Sequence, residues 1–176
     1  MRTVVGSIES KYREYKKLAE DAMAQVPEEA LGAPGPGGGS SIATIARHVG
    51  GNFASRFSDF LTADGEKPWR DRESEFVPRT PSRAELLEHW ERGWGILFHE
   101  LAALTDADLG RTVTIRGKGL SVLEALIRSL THACYHVGQI VYLAKSDRGD
   151  AWRSLSIPPG QSETYLRTLP PGSSGR

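Results

Sequence analysis

The chain has a single cysteine, Cys134, and no excess of either charge: 22 Lys and Arg face 22 Asp and Glu in 176 residues. One thiol excludes an intrachain disulfide and fits a reducing compartment. Balanced charge without a basic run gives a nucleic-acid or anionic-membrane surface little support. Long apolar runs are missing as well. Residues 1–30 lack the apolar core of a secretory signal, and no stretch reaches the ~18–20 apolar residues of a membrane span. No internal repeat is visible. The expectation is one soluble, cytoplasmic domain over residues 1–176, large enough to bury a core without a disulfide or metal.

Apolar periodicity supplies four long helices. From about Val4 to Val26, apolar residues alternate three and four apart, at Val5, Ile8, Tyr12, Tyr15, Ala19, Ala22 and Val26. The glycine- and proline-dense LGAPGPGGGSS then reads as a loop. Ser40 or Ser41 caps a second helix to about Leu61, with Ile42, Ile45, Ala46, Val49, Phe53, Phe57 and Phe60 on its apolar face. Gly50-Gly51 inside it costs about 1–2 kcal/mol of helix propensity relative to alanine, which points to close approach of a neighbouring helix or ligand, or to a local bend.

Thr62 to Thr80 is polar and proline-punctuated, and reads as a long surface crossover with no element of its own. A capping box, Ser82-x-x-Glu85, opens the third helix, whose face carries Leu86, Trp90, Trp94, Leu97 and Leu101. Thr112 to Ile115, a turn Arg116-Gly117-Lys118-Gly119, and Leu120 predict a small β-hairpin. Ser121-x-x-Glu124 caps the fourth helix, over Ser121 to Lys145. Beyond it, Trp152, Leu155 and Ile157 are placed to tie the tail down, and the chain from about 165 is expected to be disordered. The fold class is all-α: an antiparallel four-helix bundle with a long crossover between helices two and three.

On the fourth helix, Val122, Leu123, Leu126, Ile127, Leu130, Ala133, Cys134, Val137, Ile140, Val141 and Ala144 fall within an arc of roughly 140°. His132 and His136 lie just beyond that arc, one turn apart, beside Ala125, Ser129 and Leu143. Adding that side widens the arc to roughly 220°, too broad for a surface helix and suited to a bundle interior. Imidazoles at i and i+4 project side by side and can grip one metal ion. The competing reading is two core-edge histidines bonded to nearby hydroxyls. His48 is the best third ligand, because it too borders an apolar face. His89 is its only substitute, and His99 reads as a solvated surface residue. Cys134 sits about 200° around the helix from each histidine and reads as a packed thiol. The pair is not the protease motif H-E-x-x-H, since Ala133 stands where the glutamate would be.

A histidine in the second helix followed by HACYHVGQIVYLAK over 132–145 resembles the DinB-like (YfiT-like) superfamily of metal-binding four-helix bundles. The match after His136 is closest to a bacterial sub-family of unknown function, and the tail SLSIPPGQSE is similar to that sub-family's ending. The resemblance implies His48, His132 and His136 as ligands of a divalent transition metal, zinc or nickel, and a homodimer. It also implies thiol-dependent relatives, among them mycothiol-dependent maleylpyruvate isomerases and bacillithiol S-transferases.

An ion held by three imidazoles suits metal-assisted hydrolysis or transfer of a low-molecular-weight thiol to a small-molecule substrate. Asn52, one turn beyond His48, and Gln139, near His136, are the candidate pocket residues; as ordinary helix-edge polar residues they would do nothing. No acidic residue presents itself as a general base. The alternatives are a non-catalytic metal- or ligand-binding bundle and a purely structural dimerisation domain. Turnover, substrate and general acid or base are not readable from the sequence.

Overall fold

Each cap signal in the sequence becomes a helix start in the computed structural model, which describes residues 1–168. Helix α1 spans Thr3–Met23, the one-turn α2 Glu28–Leu31, α3 Ile42–Phe57 and α4 Arg83–Ala103. Strands β1 (Thr112–Ile115) and β2 (Lys118–Ser121) precede α5 (Val122–Arg148), and a short α6 covers Ser162–Thr168. The Ser41 hydroxyl accepts from Thr44 N at the start of α3. Ser82 with Glu85 and Ser121 with Glu124 form complete capping boxes. Helix α3 stops four residues short of the expected Leu61, because Ser58 is extended and Asp59 takes a positive φ of 53°. Helix α5 runs on to Arg148, where Gly149 in a positive-φ conformation ends it.

The chain is all-α overall, and the direction of the long helices can be read from side-chain pairs. Tyr12 meets Trp94 and Arg13 lies over Phe98, while further along α1 Glu20 accepts from Trp90, so α1 and α4 run antiparallel. His89 bonds Arg47 O, and Gly93 abuts Gly50, so α3 and α4 run the same way. The expected antiparallel arrangement is thus incomplete: the long crossover returns the chain to the other end before α4 begins. Tyr12, Phe53, Trp90 and Trp94 are all fully buried and form the centre of the core. The Tyr12 hydroxyl, deep in that core, donates to Leu126 O at 3.1 Å, which satisfies its one polar atom.

The double glycine has a packing reason. A Cβ on Gly50 would lie 2.9 Å from His89 Cδ2, and one on Gly93 would overlap the Gly50 backbone. The two helices touch backbone to backbone at this crossing, so the expected close approach is real.

The crossover is the main departure from expectation. It is no bare surface loop: a 3-10 turn at Glu73–Phe76 dips inward and buries Glu75. Arg47 on α3 anchors that turn, its Nη2 donating to the carbonyls of Ser74, Glu75 and Val77. Further back, Ser55 and Arg56 donate to Gly65 O, and Gly65 N donates to Thr114 O. The hairpin turn is tighter than predicted. Ile115 pairs with Lys118, leaving Arg116 and Gly117 (φ 56° and 72°) as a two-residue turn of the kind that fits strand twist. Asp64 clamps it, accepting from the backbone N–H groups of Glu66, Arg116 and Gly117.

The buried face of α5 takes in the histidine side, as the wider arc expects, and leaves the opposite edge of the apolar arc outside. Ala125 and Ser129 are buried, whereas Ile127 is 49% exposed and Cys134 only half-buried. Packing against α3 as well as α1 places the buried face there. Trp152 and Leu155 pack on the core as expected, but Ile157 is exposed. The expected disordered tail overlaps α6 at 165–168, which is helical and exposed; the rest of it lies outside the described residues. Among the described residues no helix is long and apolar enough to cross a membrane.

Candidate metal centre

Helices α3 and α5 bring His48, His132 and His136 to one point. His48 Nε2 lies 3.2 Å from His132 Nε2, which lies 3.2 Å from His136 Nε2. One ring nitrogen from each falls within 4.8 Å of the others, and among the described residues this is the one histidine, cysteine or carboxylate group that could hold a metal ion. The i,i+4 spacing sets His132 and His136 side by side on α5, ring centroids 4.5 Å apart and edge to face, and α3 delivers His48 with its ring centroid 5.1 and 4.9 Å from theirs.

Two of the three outer nitrogens are oriented too, while His132 Nδ1 is buried with no hydrogen-bond partner among the described residues. His48 Nδ1 is 2.8 Å from Glu75 Oε2, and His136 Nδ1 is 2.8 Å from Gln139 Oε1. Both partners are acceptors there, so each ring carries its proton on Nδ1 and turns an Nε2 lone pair inward. Lone pairs gathered at 3.2 Å repel unless a cation or proton sits among them. An ion with ~2.0–2.1 Å bonds to nitrogen in tetrahedral geometry spaces its donors ~3.3–3.4 Å apart. The donor set fits such an ion.

Electrostatics keep the ring of His132 neutral. Burial, then the nearby His136, His48, Arg70 and Arg56, push it down to about 3. Burial likewise lowers His136. Neutral imidazole is the form that coordinates metal.

Glu75 is the functional residue that sequence reasoning missed. Burial alone would raise its carboxyl, but hydrogen bonds from His48 and Arg70 and the Arg70 charge outweigh that and hold it below the usual range. Arg70 grips it with two bonds, Nε to Oε1 at 2.8 Å and Nη2 to Oε2 at 2.9 Å. Phe76, next in the same turn, lies against the His48 ring with centroids 4.9 Å apart. The one early signal was Gly51. A side chain there would collide with the Glu75 carboxylate, so the second glycine of the pair leaves room for this group.

The other predicted positions fall as follows. Asn52 lines a cavity of about 190 Å³ on one side of the cluster, together with His48 and His132. Gln139 lines a larger groove of about 530 Å³ on the other side, with His48, His136, Tyr135 and Tyr142. The glycine-rich loop forms a wall of that groove through Gly35 and Gly39. His89 is bonded to Arg47 O at 3.1 Å and stands outside the cluster, and His99 is exposed. Cys134 turns towards Tyr15 on α1, and burial raises its thiol.

Fold and site together define a class: an all-α protein with a three-histidine cluster between two of its long helices, flanked by two openings. The chain belongs to the family described as "Protein of unknown function (DUF1572)", whose model matches residues 2–161. No curated protein matches it significantly.

Proposed function

We propose that His48, His132 and His136 hold one divalent transition metal ion, zinc or nickel, in a four-helix bundle of the DinB-like (YfiT-like) kind, and that the chain is a metal-dependent enzyme acting on a small molecule. The observation that carries this is the convergence of three imidazoles, with His132 Nε2 3.2 Å from both His48 Nε2 and His136 Nε2, and with the two flanking rings oriented from behind by Glu75 and Gln139. A closed structural site takes four protein ligands, whereas a catalytic one takes three and leaves a position open. Glu75, the nearest carboxylate in the described contacts, is spent on the outer side of His48 and on Arg70, which leaves the inner side free.

When bound, such an ion supplies Lewis acidity that activates a water or a thiol for attack. The chain's own residues bind and orient. Arg70 holds Glu75, Glu75 holds His48, and Gln139 holds His136. The 190 Å³ cavity and the 530 Å³ groove both reach His48 from different sides. Two openings suit a reaction that brings two molecules together, which favours transfer of a low-molecular-weight thiol over hydrolysis. Cys134 is no substitute for that thiol, since it faces α1 and is held protonated.

The test is turnover of electrophilic substrates by metal-loaded and chelator-treated protein, with and without low-molecular-weight thiols. Turnover that needs both metal and thiol supports transfer. Turnover of simple esters without thiol moves the reading to hydrolysis. No turnover in any arm contradicts the enzyme reading and leaves a non-catalytic binding module.

A further inference from the structure

The 190 Å³ cavity beside His48 and His132 is lined by five arginines, Arg56, Arg70, Arg72, Arg116 and Arg128, and by no carboxylate. They come from α3, the crossover, the hairpin turn and α5. Three carboxylates pair with members of the set without lining the cavity: Glu66 with Arg56 and Arg116, Glu73 with Arg72, and Glu75 with Arg70. Arg128 has no hydrogen-bonded or ionic side-chain partner among the described residues. Positive charge is therefore in excess around a small, partly open space, and it is not self-neutralised.

Arg70 makes this a built site. Its side chain is only 2% exposed, and Nε and Nη2 are committed to Glu75, yet Nη1 is buried with no hydrogen-bond partner among the described residues. A buried guanidinium N–H left unpaired is costly, and an acceptor in the cavity removes that cost. Phe57, Phe60 and Ile115 supply an apolar wall to the same space.

We propose that this cavity binds the carboxylate or phosphate of a small anionic substrate with an apolar body, and so presents the substrate's other end to the histidine cluster. The second half of that statement rests on the metal-dependent reading above; the anion site itself does not. Arg70 supplies the guanidinium edge that Glu75 leaves free, and Arg128 closes over the anion from α5. Guanidinium forks match both carboxylate and phosphate oxygens, so the two share one recognition chemistry.

The experiment is calorimetric titration of the full chain, metal-loaded and chelator-treated, with inorganic phosphate, benzoate and the neutral isostere benzamide. The account expects saturable binding of an anion to both forms, with benzamide at least tenfold weaker. Benzoate binding better than phosphate assigns a carboxylate substrate, and the reverse order assigns a phosphate. Arg128→Ala, at an exposed position that leaves the core intact, weakens the anion about tenfold. Arg128→Glu abolishes binding, and Arg153→Ala, beyond the end of α5, changes nothing. Benzamide binding as tightly as benzoate, or unchanged anion affinity in Arg128→Glu, overturns the proposal. So does anion binding confined to metal-loaded protein. A protein that binds no metal but still binds the anion through Arg128 would sink the metal reading and leave this one standing.

Discussion

Gly51 and Glu75 compete for one volume: a methyl group on the glycine would occupy the place of the carboxylate that holds His48. Alanine is the better helix former by ~1 kcal/mol, so propensity and site geometry pull in opposite directions at this position. Gly51→Ala is expected to lose metal affinity by about 10–100-fold, the usual effect of disturbing a ligand's hydrogen-bond partner. Gly95→Ala, on the same kind of helix with open space around it, is expected to gain up to ~1 kcal/mol of stability with metal affinity unchanged. Competition with a chromophoric chelator and denaturant unfolding read the two quantities separately.

Glu75→Gln keeps the shape of the side chain and removes its charge, leaving the Arg70 guanidinium buried without a counter-ion. Breaking a buried pair from one side costs ~3–5 kcal/mol. A loss of that order in urea unfolding is expected, with weaker metal binding. Arg70→Leu/Glu75→Leu, which removes both charges, should recover much of the stability and none of the metal affinity. If the double variant is as unstable as Glu75→Gln, uncompensated charge is not the cause.

Asp64 ties the crossover to the hairpin turn. Backbone N–H groups of Glu66, Gly117 and Arg116, together with the Thr114 hydroxyl, lower its carboxyl from the ordinary 3.8 to about 2. A depressed carboxylate stabilises the fold fully above its unfolded value and loses that contribution as pH falls through the folded one. Stability is therefore expected to decline between about pH 4 and pH 2. Asp64→Asn should be less stable at neutral pH and show a flatter decline across that window in pH-dependent urea melts. A decline as steep as that of the wild-type chain would remove Asp64 from the account.

How much was legible beforehand follows from where the information lies. The serine–glutamate boxes at 82–85 and 121–124 are local, and both became helix starts. Spacing of three and four residues gave the buried stripe and put His132 beside His136. His48 could be singled out as bordering an apolar face, and it is 4% exposed. Glu75 could not be found this way. It sits in a segment without periodicity, 27 residues from its partner, and it matters only because Arg47 folds the crossover against α3. The five arginines were invisible for the same reason: they are spread over four separate segments and meet only in three dimensions. The exposure of Ile127 was misjudged because a helix packed on two neighbours buries a different face from one packed on a single side.

The most direct measurement of the central claim is elemental analysis of the purified chain beside His132→Ala/His136→Ala, with His89→Ala and His99→Ala as controls. Three converging imidazoles predict one equivalent of a transition metal in the native chain and in both controls, and none in the double variant. Equal metal content in all four proteins, or no metal in any of them after exposure to zinc and nickel, would contradict it.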